Sequence, residues 1–123
     1  MSQDERSLEY LILRIREFVE ERGWERYQKP GSLAVSASIE TGELLEPFQW
    51  LNDDEIDQYL KDEHYRSKLA SEIADVMIYI LRLADVTGIN PFDAILNKMK
   101  ENEKKYPSDE WHSRIPSKTR EPQ

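Results

Sequence analysis

The stretch Leu69-Ala-Ser-Glu-Ile-Ala-Asp-Val-Met-Ile-Tyr-Ile-Leu-Arg-Leu-Ala84 decides the fold. Leu69, Ile73, Val76, Met77, Ile80, Leu83 and Ala84 recur at the steps of three and four that keep one face of an α-helix apolar. The spacing predicts a long helix over 63–86, stopped near Gly88, and no other element of the chain is as hydrophobic. Such a helix needs partners of the same kind, and the flanking sequence supplies them. Upstream, Leu8, Leu11, Ile12, Ile15, Phe18 and Val19 mark a helix over 4–22 that Gly23 ends. Pro30-Gly31 reads as a loop, and Ser32 as the N-cap of a second helix running to about Glu46, where Pro47 disturbs it. Ala34, Ser36, Ala37 and Ser38 suit that helix to close packing. Ile56, Tyr59 and Leu60 predict a short helix within an acidic connector over 52–63. Downstream, Asn90-Pro91 is a helix start, and Phe92, Ile95, Leu96 and Met99 form the apolar face of a fourth long helix, limited by Pro107. Residues 108–123 are polar and lack periodicity, so a flexible tail is expected after a single domain over 1–107. With no β-alternation of useful length, the fold class is all-α: a four-helix bundle with a short connector helix.

Composition narrows the function. A chain of 123 residues has material for one domain. The absence of cysteine excludes disulfides, thiol catalysis and Cys-ligated zinc. The longest apolar run, Val76 to Leu81, is far below the roughly 18 residues needed to cross a bilayer. The N-terminal sequence lacks the basic and apolar stretches of a signal peptide, so a cytoplasmic location is expected. The net charge of −8 disfavours a nucleic-acid polymer as partner. That charge is uneven: residues 1–97 hold 10 basic and 20 acidic side chains, whereas 98–123 hold 7 and 5.

Glu40 and Glu43 are three positions apart on one predicted helix, as are Glu72 and Asp75 on another, so each pair shares a helix face. Both pairs sit among apolar neighbours, and no Lys or Arg lies within four residues of Glu40 or Glu43. Each pair taken alone reads most simply as solvated surface. If the two converge, they form an all-oxygen site for a hard cation, Mg²⁺ or Mn²⁺. The two histidines, His64 and His112, are not spaced as ligands. Lys98, Asn102, Lys105 and Tyr106 recur at i, i+4, i+7 and i+8, so they can share one helix face and reach one anionic ligand.

The order Glu40-x-x-Glu43, residues 44–71, then Glu72-x-x-Asp75 resembles the all-α nucleoside triphosphate pyrophosphohydrolases of the MazG type. Four blocks carry the resemblance: Glu21-Arg-Gly-Trp24-Glu-Arg-Tyr-Gln-Lys-Pro30, Glu40-Thr-Gly-Glu43-Leu-Leu-Glu46-Pro-Phe-Gln-Trp50, Asp75-Val-Met-Ile-Tyr79, and Lys98-Met-Lys-Glu-Asn102-Glu-Lys-Lys-Tyr106-Pro107. Together they look like the dCTP pyrophosphatase branch and cover roughly residues 5–107. The resemblance implies Mg²⁺-dependent cleavage between the α and β phosphates of dCTP or a modified dCTP. It implies Glu40, Glu43, Glu72 and Asp75 as metal ligands and catalytic residues, with Glu43 preferred to take the proton of the attacking water. It further implies Lys98, Asn102, Lys105 and Tyr106 at the phosphates and sugar, and Trp24, Trp50 and Tyr79 around the base. Stacking on aromatic rings tolerates every base, and Ile15 stands where the eukaryotic dCTP enzymes carry a histidine. Two alternatives therefore stay open: the same chemistry on dUTP or another nucleotide, and a non-catalytic helical module that binds a cation. The resemblance also implies a homo-oligomer, a dimer of dimers.

Overall fold

The computed structural model describes residues 6–116. Regular structure among them is helical throughout: α1 (Leu8–Glu21), α2 (Pro30–Leu45), α3 (Asp53–Tyr59), α4 (Glu63–Thr87), α5 (Pro91–Lys105) and α6 (Ser108–Trp111), with 3₁₀ turns at Glu25–Tyr27 and Glu46–Phe48. The four long helices and the connector helix expected from periodicity are all present. None of the described helices is long and apolar enough to cross a membrane. The chain divides into two compact units, with the boundary between Asn90 and Pro91.

In the first unit, helix ends follow local hydrogen bonding. Ser7 caps α1, its Oγ accepting the Tyr10 N–H at 3.1 Å, so the helix begins later than Asp4. Gly23 takes φ +64° at the other end, and the Trp24 N–H turns back onto the Val19 carbonyl at 3.1 Å. The expected N-cap of α2 is corrected: Pro30, not a loop residue, opens the helix, and Ser32 lies inside its first turn. Proline at the first helical position has φ set for the helix and forfeits only an N–H that would have had no partner. Ser32 Oγ accepts the Lys29 N–H at 3.0 Å and donates to the Tyr27 carbonyl at 2.9 Å. Asn52 and Glu55 cap α3 reciprocally, at 2.8 and 3.1 Å. Asp62 caps α4, and Gly88 closes it at φ +72°.

The principal packing is α2 along α4, with α1 laid on α4 as well. Val19 of α1, Leu33 and Ala37 of α2 and Leu81 of α4 are buried. An ionic chain ties α1 to α4 across the apolar contacts. Arg16 grips Asp85 with Nε at 2.9 Å and Nη2 at 2.6 Å, and Arg82 Nη1 donates to the same carboxylate at 3.0 Å. Hydrogen bonds from Arg16 are the main cause that holds the Asp85 carboxyl below the ordinary aspartate range; burial opposes them and the two guanidinium charges assist. Outside this contact, α1 and α4 leave an open apolar groove of about 460 Å³, lined by Leu11, Ile15, Phe18, Met77, Ile78 and Leu81. Large apolar side chains on α2 also stay exposed, Val35, Ile39 and Leu45 among them.

In the second unit, α5 carries the expected apolar face, and Phe92, Ile95, Leu96 and Met99 along it are exposed. Residues 108–111, expected as the start of a flexible tail, instead form the helical turn α6. Aromatic contact orders it: the Trp111 ring meets Tyr106 edge-on at 4.8 Å, Arg114 lies over its face at 5.0 Å, and Trp111 is buried. The remainder of the expected tail, from residue 117, lies outside the described residues.

Asp85→Ala should cost about 3 kcal/mol in chemical denaturation at neutral pH, because it leaves the buried Arg82 guanidinium without its counter-charge. The folded carboxyl titrates below its unfolded value, so its contribution is present above the ordinary aspartate pKa and is lost as pH falls through the folded one. The difference between wild type and variant should therefore shrink on acidification.

Candidate active site

Glu40 and Glu43 stand one turn apart on α2, and Glu72 and Asp75 one turn apart on the α4 face that packs on α2. The helix contact brings the acids together. Glu40, Glu43 and Glu72 each bring one carboxylate oxygen within 4.8 Å of the others. Asp75 is outside that trio, yet its charge also acts on Glu40. Two oxygens of the cluster, Glu40 Oε2 and Glu72 Oε2, are buried and have no hydrogen-bond partner. No Lys or Arg is found in an ion pair with any of the four acids among the described residues.

Electrostatics follow from this crowding. Desolvation, chiefly, pushes the Glu40 carboxyl above the ordinary glutamate range. A hydrogen bond with Glu43 and the negative charges of Glu43, Asp75 and Glu72 push it the same way. An orphaned buried carboxylate oxygen is costly, and a hard divalent cation is the partner that an all-oxygen set accepts. The donor set therefore fits Mg²⁺ or Mn²⁺, with Glu40, Glu43 and Glu72 placed to hold it and Asp75 adding charge.

The aromatic candidates occupy three settings. Tyr79 follows Asp75 by one turn on α4 and is half-buried. Trp24 sits in the turn after α1, its ring edge-on to Phe18 at 5.7 Å, and is 44% exposed. Trp50 is 90% exposed and held at φ +70°. The backbone explains its conformation: Gln49 has φ −59° and ψ 134°, and the Leu51 N–H reaches the Phe48 carbonyl at 3.2 Å. That is a type II turn with tryptophan at the position that favours glycine. A bulky side chain there costs about 1–2 kcal/mol and gains no burial in return.

Residues 35–116 match the MazG-like family, a span that contains all four acids. The chain belongs to that family. It is similar to a crystal structure of a pyrophosphatase from Archaeoglobus fulgidus, with 48% identity and a TM-score of 0.76 over 81% of this chain and 92% of that one. It is 37% identical over 92 residues to dCTP pyrophosphatase 1 of Homo sapiens, covering 75% of this chain and 54% of that protein. With dCTP pyrophosphatase 1 of Bos taurus it shares 36% identity over 91 residues, covering 74% and 54%. The chain thus spans about half the length of the curated relatives it matches.

Within this MazG-like chain, Lys98, Asn102, Lys105 and Tyr106 lie on or directly after α5, in the second unit. Lys98 is exposed and pairs with Glu101 at 3.3 Å; Lys105 lies 5.3 Å from the Tyr106 ring. Ile15 lines the α1–α4 groove. The sequence reading did not single out Arg16, Gln28, Arg82 and Asp85, which bond to one another across 69 positions of chain. Only the Arg82 to Asp85 step of three was a local signal for them.

Glu40→Gln should raise the thermal midpoint in EDTA at neutral pH, because it removes one charge from a crowded set. The folded pKa lies above the unfolded one, so the wild type without metal should lose stability as pH rises from the ordinary glutamate value through the folded one. Added Mg²⁺ should stabilise the wild type much more than the variant. Calorimetry with and without chelator reads both effects.

Proposed function

We propose that this chain is a Mg²⁺-dependent nucleoside triphosphate pyrophosphohydrolase that cleaves the α–β phosphoanhydride and releases a monophosphate and pyrophosphate, with dCTP or a modified dCTP preferred. One observation carries the reading: Glu40 Oε2 and Glu72 Oε2 are buried without partners inside a cluster of acids. A triphosphate cannot approach such a cluster by itself, since like charges repel. Bound Mg²⁺, or Mn²⁺ in its place, would supply neutralisation of the triphosphate and stabilisation of charge developing on the α-phosphoryl oxygens.

The chain's own residues take the remaining roles. Glu43 accepts the proton of the attacking water, within a pair whose other member, Glu40, is pushed toward its protonated form. Lys98, Asn102, Lys105 and Tyr106 bind the phosphates and sugar; their shared helical face and the donors it carries support this. Trp24, Trp50 and Tyr79 enclose the base. The strained, exposed setting of Trp50 supports its part, because a ring held out at a cost to the backbone has a use that packing does not supply. The similarity to dCTP pyrophosphatase 1 supports cytosine as the base.

A panel of canonical and modified nucleoside triphosphates, with Mg²⁺ present or chelated, tests the reading by scoring monophosphate and pyrophosphate. Metal-dependent pyrophosphate release should be greatest with a dCTP-type substrate. Release greatest with dUTP would move the preference to that base, and no release from any nucleotide would leave a cation-binding module. Glu43→Gln and Asp75→Asn should each lower kcat at least a hundredfold with the helical signal unchanged; near-normal turnover at saturating Mg²⁺ would sink the metal-site assignment.

Trp50→Gly should raise KM for dCTP while folding stability holds or rises by about 0.5–1 kcal/mol, since glycine relieves the left-handed backbone. A loss of stability would show that the ring packs.

The assembly proposed is a homo-oligomer, a dimer of dimers. The exposed apolar residues of α2 and the α1–α4 groove support it, because apolar surface of that extent calls for cover. Light scattering across a dilution series should give four subunit masses; a fully active particle of one subunit mass would refute the assembly.

A further inference from the structure

Asp75, Tyr79 and Arg82 recur at i, i+4 and i+7, so one stripe of α4 carries an acid of the cluster, a candidate base contact and a buried guanidinium. Arg82 is 7% exposed. Its Nη1 donates to Asp85 and its Nε to Gln28 Oε1 at 2.9 Å. Asp85 is gripped in turn by Arg16 of α1. Gln28 closes the 3₁₀ turn that starts directly after Trp24. The Trp24 turn is therefore held at both ends. At its start the Trp24 N–H bonds the Val19 carbonyl and the ring meets Phe18. At its end Gln28 is bonded to α4, at a point about 10 Å along the helix axis from Asp75, seven residues away at 1.5 Å each.

A buried guanidinium is a poor choice for stability alone. An apolar side chain of similar volume commonly packs as well or better without the cost of desolvating a charge. What Arg82 supplies is direction. Its rigid fork fixes two acceptors at once: Asp85, which it shares with Arg16, is the counter-charge, and the bond to the neutral amide of Gln28 sets the place of the turn.

We propose that Gln28 and Arg82 are positioning residues: the Gln28–Arg82–Asp85–Arg16 chain locks the Trp24 turn to α4 and so sets the Trp24 ring at the distance from the acids that the base of a bound nucleotide requires. This rests on the reading of Trp24 as a base contact.

The test compares Gln28→Met, which keeps volume and loses the acceptor, with Gln28→Glu, which keeps an acceptor for Arg82. The readouts are dCTP kinetics at saturating Mg²⁺ and the indole N–H resonances of the three tryptophans, with that of Trp24 assigned by Trp24→Phe. Gln28→Met should raise KM about tenfold with kcat within threefold of wild type, and should shift and broaden the Trp24 resonance. Gln28→Glu should restore both. In a Trp24→Ala background, Gln28→Met should add nothing to KM. An unmoved Trp24 resonance and wild-type KM in Gln28→Met, while Trp24→Ala raises KM, would overturn the positioning role and leave the base-contact reading standing. An unchanged KM in Trp24→Ala would overturn that reading and the positioning role with it. If thermal unfolding shows Gln28→Met to be misfolded, Arg82→Lys replaces it, because a lysine cannot bond Gln28 and Asp85 in the same fork; the same two readouts then decide.

Discussion

The packing of α2 on α4 forces like charges together, and the rest of the site answers to that constraint. Leu33 and Ala37 of α2 and Leu81 of α4 are buried in this unit. The helix contact carries Glu40, Glu43 and Glu72 to within 4.8 Å of one another by their carboxylate oxygens. A cluster without a basic partner is tolerable in two ways: one carboxyl keeps its proton, or a cation is held. The upward push on Glu40 is the first response. The two orphaned oxygens mark where the second would act. Stability is thereby set against site chemistry at one contact, a conflict common where a fold must build a functional centre.

A second compromise sits at the loop that follows α2. Placing tryptophan at the glycine position of a type II turn leaves backbone strain uncompensated by burial. The surroundings hold the turn in place regardless: Tyr65 of α4 donates to the Pro47 carbonyl at 2.7 Å, and Asn52 begins the reciprocal cap of α3 two residues later. The Trp24 turn is held differently. It hangs on the buried ionic chain through Arg82 and Asp85, where desolvation is offset by the bidentate Arg16 contact and the Gln28 amide. Both aromatic turns are thus fixed to α4, the helix that bears two of the acids.

Much of this was legible in the chain. Apolar steps of three and four located every long helix, because amphipathicity is a local property of consecutive residues. Helix ends were less legible. Ser32 reads as an N-cap by type, but Pro30 two residues earlier fits the first helical position better, and the serine then serves from inside the turn. Residues 108–111 read as tail because a single helical turn has no periodicity to display; Trp111 orders them through contacts with Tyr106 and Arg114 that depend on ring geometry.

By itself, the sequence determined the all-α class, the two acid pairs on two helices, and the blocks that mark a MazG-like chain. Spacing within a helix dictates which side chains share a face, and that much needs no fold. Tertiary structure alone decided that the two faces meet, that Glu40 and Glu72 each bury an oxygen without a partner, and that Asp75, outside the trio, acts on Glu40. It alone joined Arg16 to Asp85 and Gln28 to Arg82. The reason is physical: hydrogen bonds and Coulomb forces act over a few ångströms of space, and the chain brings distant positions that close only after its apolar faces have packed.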